Sequence, residues 1–119
     1  MTSYRDLRVW KEAIELVTVI YKLSETFPPS ERFGLQIQLR KAAVSIPSNI
    51  AEGQGKMSKG EWKQSLGHAR GSLYELETQI IVAESLSLIS PANAAEVLER
   101  TTGIGKALRG LIEFVSSNR

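Results

Sequence analysis

An all-α fold, an antiparallel up-down-up-down four-helix bundle, is predicted by three observations on the sequence. Four segments carry apolar residues at spacings of three and four, the period that lines one side of a helix. Recognisable breaks separate them: Pro28-Pro29, the glycines around Gly53 and Gly55, and Ser90-Pro91. The connections are short, which makes neighbouring helices run antiparallel. With 119 residues, 42% hydrophobic and 24% charged, the chain suits one domain spanning 1–119. A domain of this size buries roughly two-thirds of its unfolded surface and needs no metal or disulfide staple.

The first helix is predicted from Asp6 to Thr26. Leu7, Trp10, Ile14, Val17 and Tyr21 form one seam; Val9, Ala13, Leu16, Ile20 and Leu23 form a second, offset from it. Together they cover about 200° of the helix at about 100° per residue. A helix with a single packing face needs little more than about 100°. Helix 1 is therefore expected to touch more than its own core, and the subunit contact is assigned to Val9, Ala13, Leu16, Ile20 and Leu23.

Ser30 is the expected N-cap of the second helix, with Glu31 in its first turn. Phe33, Leu35, Ile37 and Leu39 alternate like a strand, but the continuation is helical. Leu35, Leu39, Ala42, Ile46 and Ile50 make one face; Phe33, Ile37, Val44 and Ala51 make another. Pro47 lies inside, removing a backbone hydrogen bond and bending the axis. Gly53 and Gly55 close the helix.

The third helix opens on a capping box, Ser58-Lys59-Gly60-Glu61. Trp62, Leu66, Ala69, Leu73, Leu76, Ile80 and Ala83 then keep the four-three alternation of a bundle seam. Towards Ile89 the helix becomes apolar nearly all round, which means that it is buried on several sides or sits at a subunit contact. Ser90 caps the fourth helix with Pro91 at its first position. Its core side is assigned to Ala94, Leu98, Leu108, Leu111 and Val115, and Gly103, Gly105 and Gly110 weaken it by about 1 kcal/mol each relative to alanine.

Composition excludes several chemistries. There is no cysteine, hence no disulfide, thiolate nucleophile or Cys-ligated zinc. The single histidine, His68, is preceded three positions earlier by Ser65, so the Glu-x-x-His of di-iron bundles is missing. One histidine and one aspartate, Asp6, make no triad. No catalytic, cofactor or metal residue is assigned. Met1 to Val9 lacks the apolar block of a signal peptide, and no run approaches the roughly 20 residues of a membrane span. The expected location is cytoplasmic, with no membrane partner.

Two surface features are left over. Ser45, Ser48, Asn49 and Glu52 share a polar helix face beside Pro47. Either they satisfy carbonyls released by the proline or they form a patch for a ligand or partner. Gly67 and Gly71, one turn apart, are expected to allow close approach of another helix. Lys59, Lys63 and Arg70 lie within about 40° on helix 3. Lys56 precedes them, and Arg40-Lys41 adds a pair on helix 2. They are candidate nucleic-acid contacts, although solvated faces also look like this. The net charge of +2, from 15 basic and 13 acidic side chains, permits nucleic acid without demanding it.

The run Ser45 to Gly53 (SIPSNIAEG) resembles a small bacterial family first noticed as products of intervening sequences in 23S ribosomal RNA genes. Asp6-Leu7-Arg8-Val9-Trp10, the Phe27-Pro28 turn, Phe33-Gly34-Leu35, Gln38-Leu39-Arg40 and Ala69 to Glu77 fit it in order. The resemblance implies an up-down-up-down bundle, commonly a ring of five, with no established enzymatic activity. The accessory protein of diversity-generating retroelements is similar in fold and assembly and works with a reverse transcriptase and nucleic acid. Two functions follow. One is a homo-oligomeric, pentameric accessory protein that binds RNA or DNA. The alternative is a scaffold that binds another protein and has no nucleic-acid role.

Overall fold

The computed structural model describes residues 3–117. Met1 and Thr2 of the N-terminal stretch, and Asn118 and Arg119 at the other end, lie outside the described residues. After a 3-10 turn over Tyr4–Asp6 come four helices: α1 Arg8–Ser24, α2 Leu35–Gln54, α3 Lys59–Ser85 and α4 Pro91–Ser117. No strand occurs among the described residues, and no helix of theirs is long and apolar enough to cross a membrane.

Side-chain pairings fix the directions. Gln36 reaches the Ser24 carbonyl and Arg40 that of Tyr21, so α2 advances as α1 retreats. Ser45 meets Ser72, and Gly53 faces Trp62 and Ser65, which sets α3 antiparallel to α2. The helices follow one another around a ring, α4 closes back on α1, and the diagonal pairs stay farther apart. Two grooves of about 390 and 210 Å³ run along the α1–α4 seam.

All four helices contribute to one core. The α3 seam is as expected from Leu66 on: Leu66, Ala69, Leu73, Leu76, Ile80 and Ala83 are all buried, while Trp62, its first member, is half-buried against Gly53. Ser58 caps the helix, its Oγ accepting from Glu61 N–H at 3.2 Å, while the Glu61 carboxylate reaches back to the Ser58 hydroxyl at 3.1 Å instead of the backbone N–H of a full capping box. At its other end Ser87 adopts φ 60°. There Leu88 N–H reaches the Ala83 carbonyl and Ser87 N–H that of Glu84, both at 2.9 Å. This is the paired closure that satisfies the last carbonyls of a helix. Ser90 caps α4 as expected, accepting from Asn93 N–H at 3.1 Å.

Several expectations need correction. Ser30 is not a cap. A 3-10 turn occupies Pro29–Glu31, α2 starts at Leu35, and the Glu31 carboxylate accepts from Leu35 N–H at 3.0 Å. An anion suits the positive end of the helix better than a serine hydroxyl does.

The seam assigned to the subunit contact is the monomer's own core. Val9, Ala13, Leu16 and Ile20 are at most 5% exposed, and Leu23 is half-buried beside α4. These positions point between α2 and α4, so they are spent inside the bundle. The other seam divides: Leu7, Trp10 and Val17 are partly buried against the core, while Ile14 and Tyr21 face out, each 41% exposed. In α4, Val97, Thr101 and Ile104 fill the middle of the seam, while Leu98 and Leu111 are only half-buried. Thr101 turns its hydroxyl back to the Leu98 carbonyl at 3.0 Å, which lets a polar residue sit in the core.

The glycines also trade roles. Gly53 lies within α2, where an added Cβ would stand 2.8 Å from Trp62 Cδ1, so it serves helix packing rather than termination. Gly67 and Gly71, expected at a close contact, have nothing within 4 Å of such a Cβ.

Candidate functional site

The polar motif around Pro47 is mostly absorbed by structure. Ser45 Oγ lies 2.7 Å from Ser72 Oγ, linking α2 to α3. Asn49 Nδ2 donates to the Ser45 carbonyl at 2.8 Å and to its hydroxyl at 3.0 Å. The carbonyl that Pro47 leaves without a donor is that of Ala43, so the asparagine secures the next residues instead. Ser48 and Glu52 remain exposed, and Glu52 faces Lys56 at 3.7 Å. The four residues therefore do not converge on one site.

The candidate cations divide too. Arg40 is bound to α1: its Nε donates to Ser24 Oγ at 2.9 Å and its Nη2 to the Tyr21 carbonyl at 3.1 Å. Lys41 is exposed beside it, in an apolar groove lined by Tyr21, Ile37 and Val44. Lys56 sits in the α2–α3 turn with Glu52. Lys59, Lys63 and Arg70 are exposed on α3, on the side that faces α4 at Arg70.

There Arg70 meets two cations that the sequence did not single out. A groove of about 250 Å³ between α3 and α4 is lined by Arg70, Tyr74, Glu77, Thr102, Lys106 and Arg109, with Leu73 and Gly105 beneath. Antiparallel packing makes it, because α4 runs back along α3 and brings Lys106 and Arg109 opposite Arg70. The spacing of Lys106 and Arg109, three apart on one helix, was the available signal. Only the register of α4 on α3 shows that they join Arg70.

Among the described residues, none of Lys59, Lys63, Arg70, Lys106 and Arg109 has a carboxylate within ion-pair distance. Three cations against one carboxylate, Glu77, leave the groove electropositive. Thr102 uses its hydroxyl hydrogen on the Leu98 carbonyl at 2.8 Å, so the donors left for a ligand are the two arginines, the lysine and the Tyr74 hydroxyl. Unpaired guanidinium groups in a cleft suit phosphate, which they can bind by two parallel hydrogen bonds.

His68, the only histidine, is exposed on α3, and it is not among the residues that line this groove.

Comparison with known proteins bears on these observations. The model of a family described as 23S rRNA-intervening sequence protein matches residues 5–110. A crystal structure of a protein of unknown function from the S23 ribosomal protein family of Bacteroides thetaiotaomicron has the same fold. It superposes with a TM-score of 0.81 over 87% of this chain and 97% of its own, at 21% identity. No curated protein matches the chain.

Proposed function

We propose, for a chain that belongs to the 23S rRNA-intervening sequence protein family, the role of a homo-oligomeric accessory protein that holds nucleic acid and catalyses nothing itself. The observation that carries this reading is the α3–α4 groove, where Arg70, Lys106 and Arg109 converge without ion-pair partners among the described residues. Lys59 and Lys63 extend the positive strip along α3. Cations left unpaired on one strip favour a polyanion, whose condensed counterions are released on binding.

Assembly supports the role. Ile14 and Tyr21 of α1 and Ile37 and Val44 of α2 are each about 40% exposed, a face suited to a second copy. A ring of five, as in the proteins the sequence resembles, would carry +10 from the +2 of each chain. It would also repeat the groove, so that weak single contacts add up. This reading places the work in the cytoplasm, whose reducing chemistry suits a chain without cysteine.

The test is fluorescence anisotropy with labelled RNA and DNA between about 50 and about 200 mM salt. Affinity should fall steeply with salt and be lost on reversing Arg70, Lys106 and Arg109 to glutamate. Reversing Lys11, Lys22 and Arg32, with the same change in net charge, should leave most of it. Absent or salt-insensitive binding sinks the reading. A protein scaffold is then the better one, favoured by Ile81, Val82 and Leu86, which are 42–60% exposed near the end of α3.

A further inference from the structure

We infer that the α3–α4 groove takes a single strand, with a base stacked on Tyr74 and the flanking phosphates on Arg70, Lys106 and Arg109. The inference rests on the nucleic-acid reading above and narrows it. Contact with a duplex backbone calls for cations alone. Here an aromatic side chain, 55% exposed, lines the same groove as the three cations. Its ring has no aromatic or cationic partner among the described residues. A half-exposed ring among unpaired cations is what stacking with an unpaired base requires.

The surroundings leave room for a flat group. Helical side chains lean towards the helix N-terminus, so Tyr74 covers the turn that holds Arg70 and Gly71. At Gly67 and Gly71 no atom lies within 4 Å of the place a Cβ would take. The turn beside the ring thus carries no side chain at Gly67 and Gly71, which leaves space there for a base to approach. Arg70 is one turn away on the same helix, with Lys106 and Arg109 across the groove. Glu77, on the far side of Tyr74, repels phosphate and confines the backbone to the arginine end.

The experiment compares Tyr74→Ala and Tyr74→Phe with the parent protein. The probes are fluorescein-labelled oligothymidylate, an abasic strand of the same length, and a duplex. Tyr74→Ala should weaken oligothymidylate binding roughly fivefold or more, the scale of one lost stack, while Tyr74→Phe keeps it. The abasic strand and the duplex should bind Tyr74→Ala and parent alike. If Tyr74→Ala binds oligothymidylate as tightly as the parent, or loses the abasic strand equally, the inference is overturned. In either case the nucleic-acid reading survives provided charge reversal in the groove still abolishes binding. If the parent binds none of the probes, both fall.

Discussion

The guanidinium carbon of Arg40, on α2, lies 4.6 Å from the centre of the Tyr21 ring on α1. The same side chain bonds the Tyr21 carbonyl and the Ser24 hydroxyl, so it caps the end of one helix from the flank of the next. Arg40→Ala should lower the unfolding free energy by about 1–2 kcal/mol in urea titrations at fixed protein concentration. Lysine should recover little, since an ammonium group lacks the planar fork. Nucleic-acid affinity of the folded variant should stay the same. Intact stability with lost binding would return Arg40 to the list of ligand contacts.

Gly53 and the glycines of α4 should respond to alanine with opposite signs. A Cβ at Gly53 would meet Trp62 Cδ1 at 2.8 Å and Ser65 Cβ at 3.1 Å, while Gly103 and Gly110 have open space. Gly53→Ala should cost about 1–3 kcal/mol by overpacking. Gly103→Ala and Gly110→Ala should each add up to about 1 kcal/mol through helix propensity. Thermal melts of the three variants decide it, and equal signs would refute the packing assigned to Gly53.

Ser87 holds a left-handed conformation, φ 60°, at the position after α3 where glycine is usual. An L side chain there costs about 1 kcal/mol or more relative to glycine. Ser87→Gly should therefore stabilise the protein, with a higher melting temperature and unchanged assembly. A lower melting temperature would mean that its side chain makes contacts worth more than the strain.

The two seams of α1 should separate assembly from folding. Ile14→Asp combined with Val44→Asp should give a folded 13.2 kDa monomer by light scattering, with helical circular dichroism retained. Leu16→Asp, in the inner seam, should abolish the helical signal. A parent protein already at 13.2 kDa would remove the assembly and the multivalency built on it.

What was legible in the sequence was what is local along the chain. The N-cap at Ser58, the cap at Ser90 and the α3 seam each depend on residues a few positions apart, and all are present. The two seams of α1 were visible, but not which one faces inward. Both are apolar, and the choice is made by α2 and α4, which flank the side carrying Ala13 and Leu16. Thr101 hid part of the α4 seam because its hydroxyl is satisfied only in the folded helix. Arg40 looked like a free cation because its partners lie on another helix. The α3–α4 groove was half legible: Arg70 stood out, whereas Lys106 and Arg109 join it only through the register of two antiparallel helices.

The ring order of the helices has a consequence for how the molecule comes together and apart. Three of its seams join helices separated by connections of four, five and ten residues, so forming each one closes a short loop. The α1–α4 seam is different, because its closure brings together the two ends of the folded chain. The entropy lost on closing a loop grows with the logarithm of its length, and this is also the most sparsely packed of the four seams. It should be the last to form and the first to part. The bundle then behaves as a strip of four slats with hinges between neighbours, curled until its edges meet, and it can uncurl there while every hinge stays closed.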